Sequence, residues 1–143
     1  MADRPGLRGL IDTSVVIDLE HLAPDTLPSE MAIAAVTLAE LAAGPHATRD
    51  GIERARRQER LQLTEATFEA IPFDASAARA YGRVYAEVTS GGRKARGKRA
   101  LDLLIAATAL AAGLPLYTRY PSDFEGLDTL IDVTAVRPAT GNH

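Results

Sequence analysis

Four short apolar stretches of this 143-residue chain each set a carboxylate in apolar company, and that placement limits what the chain can fold into. In LRGLIDTSVVIDL (residues 7–19), Asp12 follows Gly-Leu-Ile and precedes Thr-Ser and Val-Val-Ile. In AVTLAELAAG (35–44) the acid is Glu40. In RALDLLIAATALAAG (99–113) it is Asp102, and in LYTRYPSDFEGL (116–127) it is Asp123. A carboxylate among buried apolar groups is costly unless hydrogen bonds, a metal or a cation compensate it. Four such placements call for one common explanation.

The apolar stretches alternate between strand and helix. Residues 7–12 predict a strand ending at Asp12, and 13–19 a short helix. Residues 31–36 predict a second buried strand, after which Thr37-Leu-Ala-Glu40 opens a helix in capping-box form, stopped by Gly44-Pro45. Residues 50–68 read as an exposed amphipathic helix, with Ile52, Leu61 and Leu63 set among charges. A short strand at 70–73 precedes a helix at 75–89 carrying Tyr81, Val84, Tyr85 and Val88 on one face, broken by Gly91-Gly92. A nearly all-apolar helix at 101–112, strands at 114–118 and 130–136 and a helical turn at 121–124 complete the chain, and residues 137–143 read as a frayed tail. Short strands alternating with helices predict an α/β domain with a mainly parallel sheet. Residues 1–143 then form one domain, of a size able to bury a core. In such sheets the ligand crevice lies beyond the carboxyl ends of the strands, and all four acids fall at a strand end or a helix start.

Each acid also has a purely structural reading. Asp12 suits an N-cap of the helix from Thr13. Glu40 completes the capping box of Thr37, Asp102 can pair with Arg99 or answer the helix dipole, and Asp123 can do the same behind Pro121. Convergence on one edge weakens all four. Two carboxylates about 4 Å apart repel by about 4 kcal/mol at an effective dielectric near 20, so a cluster must take up protons or hold a cation. A hard divalent ion with oxygen ligands is the economical solution: Mg²⁺ takes one or two carboxylates and keeps waters. One or two such ions can activate water against a phosphodiester.

Composition removes competing chemistries. The chain has no cysteine, which excludes thiolate metal sites and disulfides and fits a reducing compartment. His21, His46 and His143 lie outside the acidic stretches, so neither a Ser–His–Asp hydrolase nor a zinc site is supported. No apolar run reaches membrane-helix length, and MADRPGLRG is not a signal peptide. The expected location is the cytoplasm, with no membrane partner. Net charge is −3, so any nucleic-acid surface must be local. Residues 93–99, RKARGKR, supply one: Arg93, Lys94, Arg96, Lys98 and Arg99 abut the helix of Asp102 and could track a phosphate backbone without reading sequence. A second cluster, Arg54, Arg56, Arg57 and Arg60, alternates with Glu53 and Glu59 as a salt-bridged face would. Tyr81, Tyr85 and Tyr117 could stack bases, although helical spacing favours core or interface roles for the first two.

The segments IDTSVVIDL, VTLAELAAG, ALDLLIAATAL and LYTRYPSDFEGL resemble, in order and spacing across nearly the whole chain, those of the PIN-domain ribonucleases, in particular the VapC toxins of bacterial toxin–antitoxin pairs. The resemblance implies a three-layer α/β fold with a five-stranded, mainly parallel sheet between helices. It implies that Asp12, Glu40 and Asp102 form the acidic metal-binding triad, with Asp123 as a fourth catalytic acid and Thr13, Ser14 and Thr118 in support. The implied activity is endonucleolytic cleavage of RNA with Mg²⁺ or Mn²⁺, neutralised by a cognate VapB-type antitoxin. The implied assembly is a homodimer. One departure stands out: Tyr120 occupies a position where the family often has Asn or Asp. Two other readings are an inactive PIN-like module that only binds RNA or a partner, and a phosphatase with Asp12 as nucleophile. The phosphatase motif needs a second Asp at position 14, which is Ser14.

Overall fold

The computed structural model describes residues 7–140. Five strands, β1 (Arg8–Ile11), β2 (Glu30–Ala34), β3 (Glu69–Ile71), β4 (Leu116–Thr118) and β5 (Val133–Ala135), form one sheet in the order β3-β2-β1-β4-β5. Every pairing is parallel. The helices are α1 (Thr13–Asp18), α2 (Ala35–Ala43), α3 (Gly51–Thr67), α4 (Ala75–Ser90) and α5 (Lys98–Ala112). Among the described residues, no helix is long and apolar enough to cross a membrane.

A parallel sheet is covered on both faces, so its strands read as continuous apolar runs. Successive residues then feed opposite cores. Leu10, Ala34 and Leu116 pack with α4 and α5, through Ala80, Val84, Val88, Leu103 and Ile105. Ile11, Ile33 and Tyr117 pack on the other side with Val15, Val16 and Leu41, against which Leu61 of α3 lies. Helices on both faces of one sheet make the expected three layers. Gly9 is required by close approach, because a Cβ there would lie 2.5 Å from Tyr117 Cε1. Gly113, at φ +69°, closes α5 in the left-handed conformation that glycine adopts without strain.

Chain order steps outward from β1 to β2 and β3, then returns to β4 on the other side of β1. That reversal between β1 and β4 is the switch point where such sheets place their ligand crevice.

Several boundaries differ from the sequence reading. The second strand ends at Ala34 and α2 starts at Ala35, so Thr37 is not a cap; it is fully buried in the first turn. The last strand shrinks to Val133–Ala135. Lys98 and Arg99 belong to α5 rather than to the preceding loop. Tyr117 is a core residue with no face free for a base. The frayed-tail expectation fails through Ala139: Ala23 N–H donates to Arg137, Ala139 N–H donates to His21, and Leu22 bridges Pro138. Residues 141–143 lie outside the described residues. The mixed charges of α3 do form a salt-bridged face, Glu53 receiving Arg57 at 2.9 Å and Arg56 at 3.2 Å. The Arg57 hydrogen bond holds the Glu53 carboxyl below its ordinary range.

Candidate active site

The four acids gather where the topology puts the crevice, each by a different local device. Asp12 follows β1 and caps α1, accepting Val15 N–H at 3.1 Å through Oδ1. The same oxygen accepts Ser14 Oγ at 2.6 Å, and Thr118 at the end of β4 bonds to the carboxylate as well. Its capping role and its site role therefore coexist. Ser14 uses both its capacities, donating to Asp12 and accepting Arg119 N–H at 3.2 Å. Asp12 is buried, which raises its proton affinity; the Ser14, Thr118 and Val15 hydrogen bonds and the Lys98 charge pull the other way.

Glu40 reaches the site from α2. Thr13 Oγ1 donates to Glu40 Oε1 at 2.6 Å and lies 2.9 Å from Thr37 Oγ1. With Thr13's proton committed to Glu40, Thr37 must donate to Thr13. The result is a directed chain from Thr37 through Thr13 to Glu40. Thr37 is a site-supporting residue that the sequence reading assigned to capping.

Asp102 stands in the second turn of α5, buried, with Lys98 one turn earlier at 3.4 Å. The pairing is with Lys98 rather than with Arg99. Burial pushes the Asp102 carboxyl up to about 6; Lys98 opposes this, while the Asp123 and Glu40 charges add to it. Asp123 sits in the 3-10 turn Pro121–Phe124, partly buried, at the rim of the same cluster. Lys98, in turn, loses some charge stability to burial, but Asp102, Asp123 and Glu40 together hold its ammonium above the ordinary range. Sequence position thus placed the acids, and the structure adds one cation among them.

Arg119 was not singled out by sequence reading. Its backbone fixes Ser14, its Nη1 pairs with Asp18 of α1 at 2.6 Å, and its guanidinium lies over the Tyr120 ring at 5.4 Å. Only its place beside Thr118 in the fourth stretch could have signalled this. Tyr120 is half-exposed and donates its N–H to Thr118 Oγ1, so the departure from the family pattern sits at the rim.

The basic run divides. Arg93 pairs with Glu125 at 3.3 Å and lies against Gly126. Arg99 keeps Nη1 buried without a hydrogen-bond partner among the described residues. Lys94 and Arg96 are exposed and carry no ion pair with the described residues.

The donor set suits a hard divalent ion, since it offers carboxylate and hydroxyl oxygens without sulfur or imidazole. Among the described residues, no three acid, histidine or cysteine side chains converge into a ready-made cage. Mg²⁺ needs none, because it binds through one or two carboxylates and retains its waters. Asp12 and Asp102, acids whose burial disfavours a bare negative charge, fit that demand, with Glu40 beside them.

A family model described as the PIN domain matches residues 9–128. Over 132 residues the chain is 36% identical to Ribonuclease VapC5 of Mycobacterium tuberculosis, covering 90% of this chain and 94% of that protein. It is 34% identical over 135 residues to VapC ribonuclease Y4jK of Sinorhizobium fredii, covering 85% and 94%. The crystal structure of the toxin–antitoxin family member VapBC-5 from Mycobacterium tuberculosis matches with a TM-score of 0.77 and 36% identity, over 91% of this chain and 98% of that one. The chain belongs to the PIN-domain family and, within it, to the VapC-type proteins of VapBC toxin–antitoxin systems.

Proposed function

We propose that this chain is a Mg²⁺-dependent endoribonuclease, with Mn²⁺ an effective substitute, acting as the toxin of a type II toxin–antitoxin pair in the cytoplasm. The observation that carries the reading is a buried Asp12, fixed by Ser14, Val15 and Thr118, in one carboxylate cluster with Asp102, Glu40 and Asp123 at the β1–β4 switch point. The relatives named as ribonucleases support RNA as the substrate. The VapBC-5 structure supports neutralisation by a VapB-type antitoxin, and a homodimer is the assembly that the sequence resemblance implies.

Asp12 and Asp102, with Glu40, would hold the ion. When bound, it supplies a Lewis acid that activates water and offsets charge developing on the phosphodiester oxygens. The chain's own groups do the rest. Ser14, Val15 and Thr118 keep Asp12 from rotating away, and Thr13 aims Glu40. Asp123, at the rim, orients the attacking water and accepts its proton as the water oxygen bonds to phosphorus; the phosphorus–oxygen bond to the leaving nucleoside breaks, and that oxygen takes a proton from solvent. Lys94 and Arg96 attract the RNA backbone without choosing a sequence.

Single-stranded RNA offered to the purified chain should be cut in Mg²⁺ or Mn²⁺, spared after chelation, and cut again on metal add-back. Induction should arrest growth for the wild type and not for Asp12→Asn. Cleavage that survives chelation, or toxicity equal in a folded Asp12→Asn variant, would overturn the reading.

A further inference from the structure

Until an ion is bound, four carboxylates in one crevice need protons or another cation to offset their charge. Of the five basic residues at 93–99, Lys98 alone contacts one of these acids among the described residues, through Nζ at 3.4 Å from Asp102 Oδ1. Its charge also bears on Asp12, Glu40 and Asp123. The pairing is loosely held, since the Lys98 side chain is 74% exposed against 10% for Asp102. An ammonium on a flexible four-carbon stem can leave such a site more readily than a guanidinium fork. Lys98 also follows Gly97, whose φ of +68° marks a sharp change of chain direction at the start of α5.

We propose that Lys98 is the resident counter-ion of the metal-free site: its ammonium neutralises part of the carboxylate cluster and is displaced when a divalent cation enters. The inference rests on the metal-dependent reading above and adds a competitor for the metal that the chain itself carries. A lysine lost from such a position would strengthen metal uptake while weakening the empty protein. A lysine serving only to cap or solubilise α5 would do neither.

The test is a calorimetric titration of Mg²⁺ and Mn²⁺ into the full chain without RNA, wild type against Lys98→Gln. Thermal melts of metal-free Lys98→Gln, Asp102→Asn and the double variant accompany it. Lys98→Gln should bind the ion about three- to fivefold more tightly at low salt, the loss of one exposed competing ion pair. The gain should shrink at high salt, where exposed charges are screened. Lys98→Gln should lower the melting temperature when Asp102 is present, and not in the Asp102→Asn background. Unchanged ion affinity, with normal uptake by the wild type, overturns displacement alone. Failure of both forms to take up either ion overturns the displacement and the nuclease reading together. Equal melting effects in both backgrounds overturn the counter-ion role.

Discussion

Asp12 and Asp102 face one crevice, but the chain holds them by opposite means. Asp12 is fixed by neutral dipoles: the Ser14 hydroxyl, the Val15 amide and the Thr118 hydroxyl. Among the described residues Asp102 has one side-chain partner, the exposed cation Lys98, and is otherwise desolvated beside other acids. Dipoles fix a direction and stay in place when an ion arrives. A cation balances charge and must then compete with the ion. The first arrangement gives the site its geometry, and the second leaves it poised to accept positive charge.

The largest expected effect breaks the charge common to both. Asp102→Asn should retain the fold, confirmed by circular dichroism, yet lose at least ~100-fold in RNA cleavage, about 2.7 kcal/mol of transition-state stabilisation. A folded variant keeping near-wild-type turnover would show that Asp102 is dispensable. Next, Asp123→Asn should lower turnover by about 100-fold, the low end for a positioned proton acceptor. Because Asp123 acts from the rim, calorimetry should show the first ion bound within a few-fold of wild type; loss of that ion would make Asp123 a ligand.

Ser14→Ala sharpens the dipole side. It strips one hydrogen bond from Asp12 and leaves Arg119 N–H without its acceptor, costing about 1–2 kcal/mol of stability in denaturant titration. Activity should fall even at saturating metal, because direction rather than charge is lost; a variant with normal turnover would argue against that distinction.

The Asp102 side should show in the pH dependence of the metal-free protein. With its carboxyl raised from 3.8 to about 6, the folded state keeps a proton that the unfolded chain releases. Its contribution is therefore most favourable at low pH and is lost as pH rises through about 6. Melting temperatures corrected against Asp102→Asn should decline over that interval and level off above it. A difference that grows with pH would reverse the sign and refute the assignment. The smallest effect is expected at the basic run. Replacing Lys94 and Arg96 with Ser should reduce the slope of log affinity for RNA against log salt by roughly 0.7 for each lost contact.

Much of this was legible in the residues. Acids in apolar company are conspicuous because burial makes them expensive, so Asp12, Glu40, Asp102 and Asp123 could be located without coordinates. The parallel sheet could be anticipated from apolar runs alternating with helices. Strand limits were less visible, because a strand covered on both faces has no alternation to mark its ends, and Ala34-Ala35-Val36 suits strand and helix alike. Thr37 was assigned to a cap because its partner Thr13 lies 24 residues away, beyond any local pattern. The anchoring of residues 137–139 runs mainly through backbone groups, with Thr26 Oγ1 accepting Arg137 N–H as well, and backbone groups leave no trace in side-chain type. Lys98 was visible as a positive charge, but the choice between residues 98 and 99 as the Asp102 partner depends on where α5 begins.

The hydrogen bond from Arg119 N–H to Ser14 Oγ joins positions 105 residues apart. At about 5–20 residues per second, roughly 5–20 s of synthesis separate the first of these residues from the second. Throughout that interval β1 lacks its β4 neighbour, Asp12 lacks Thr118, and Asp102 has not been made for most of it. A nascent chain therefore carries its first acid long before it can use it. Premature termination anywhere before the fourth stretch yields a fragment with an incomplete crevice, so the four acids come together only once residues 116–127 have been made.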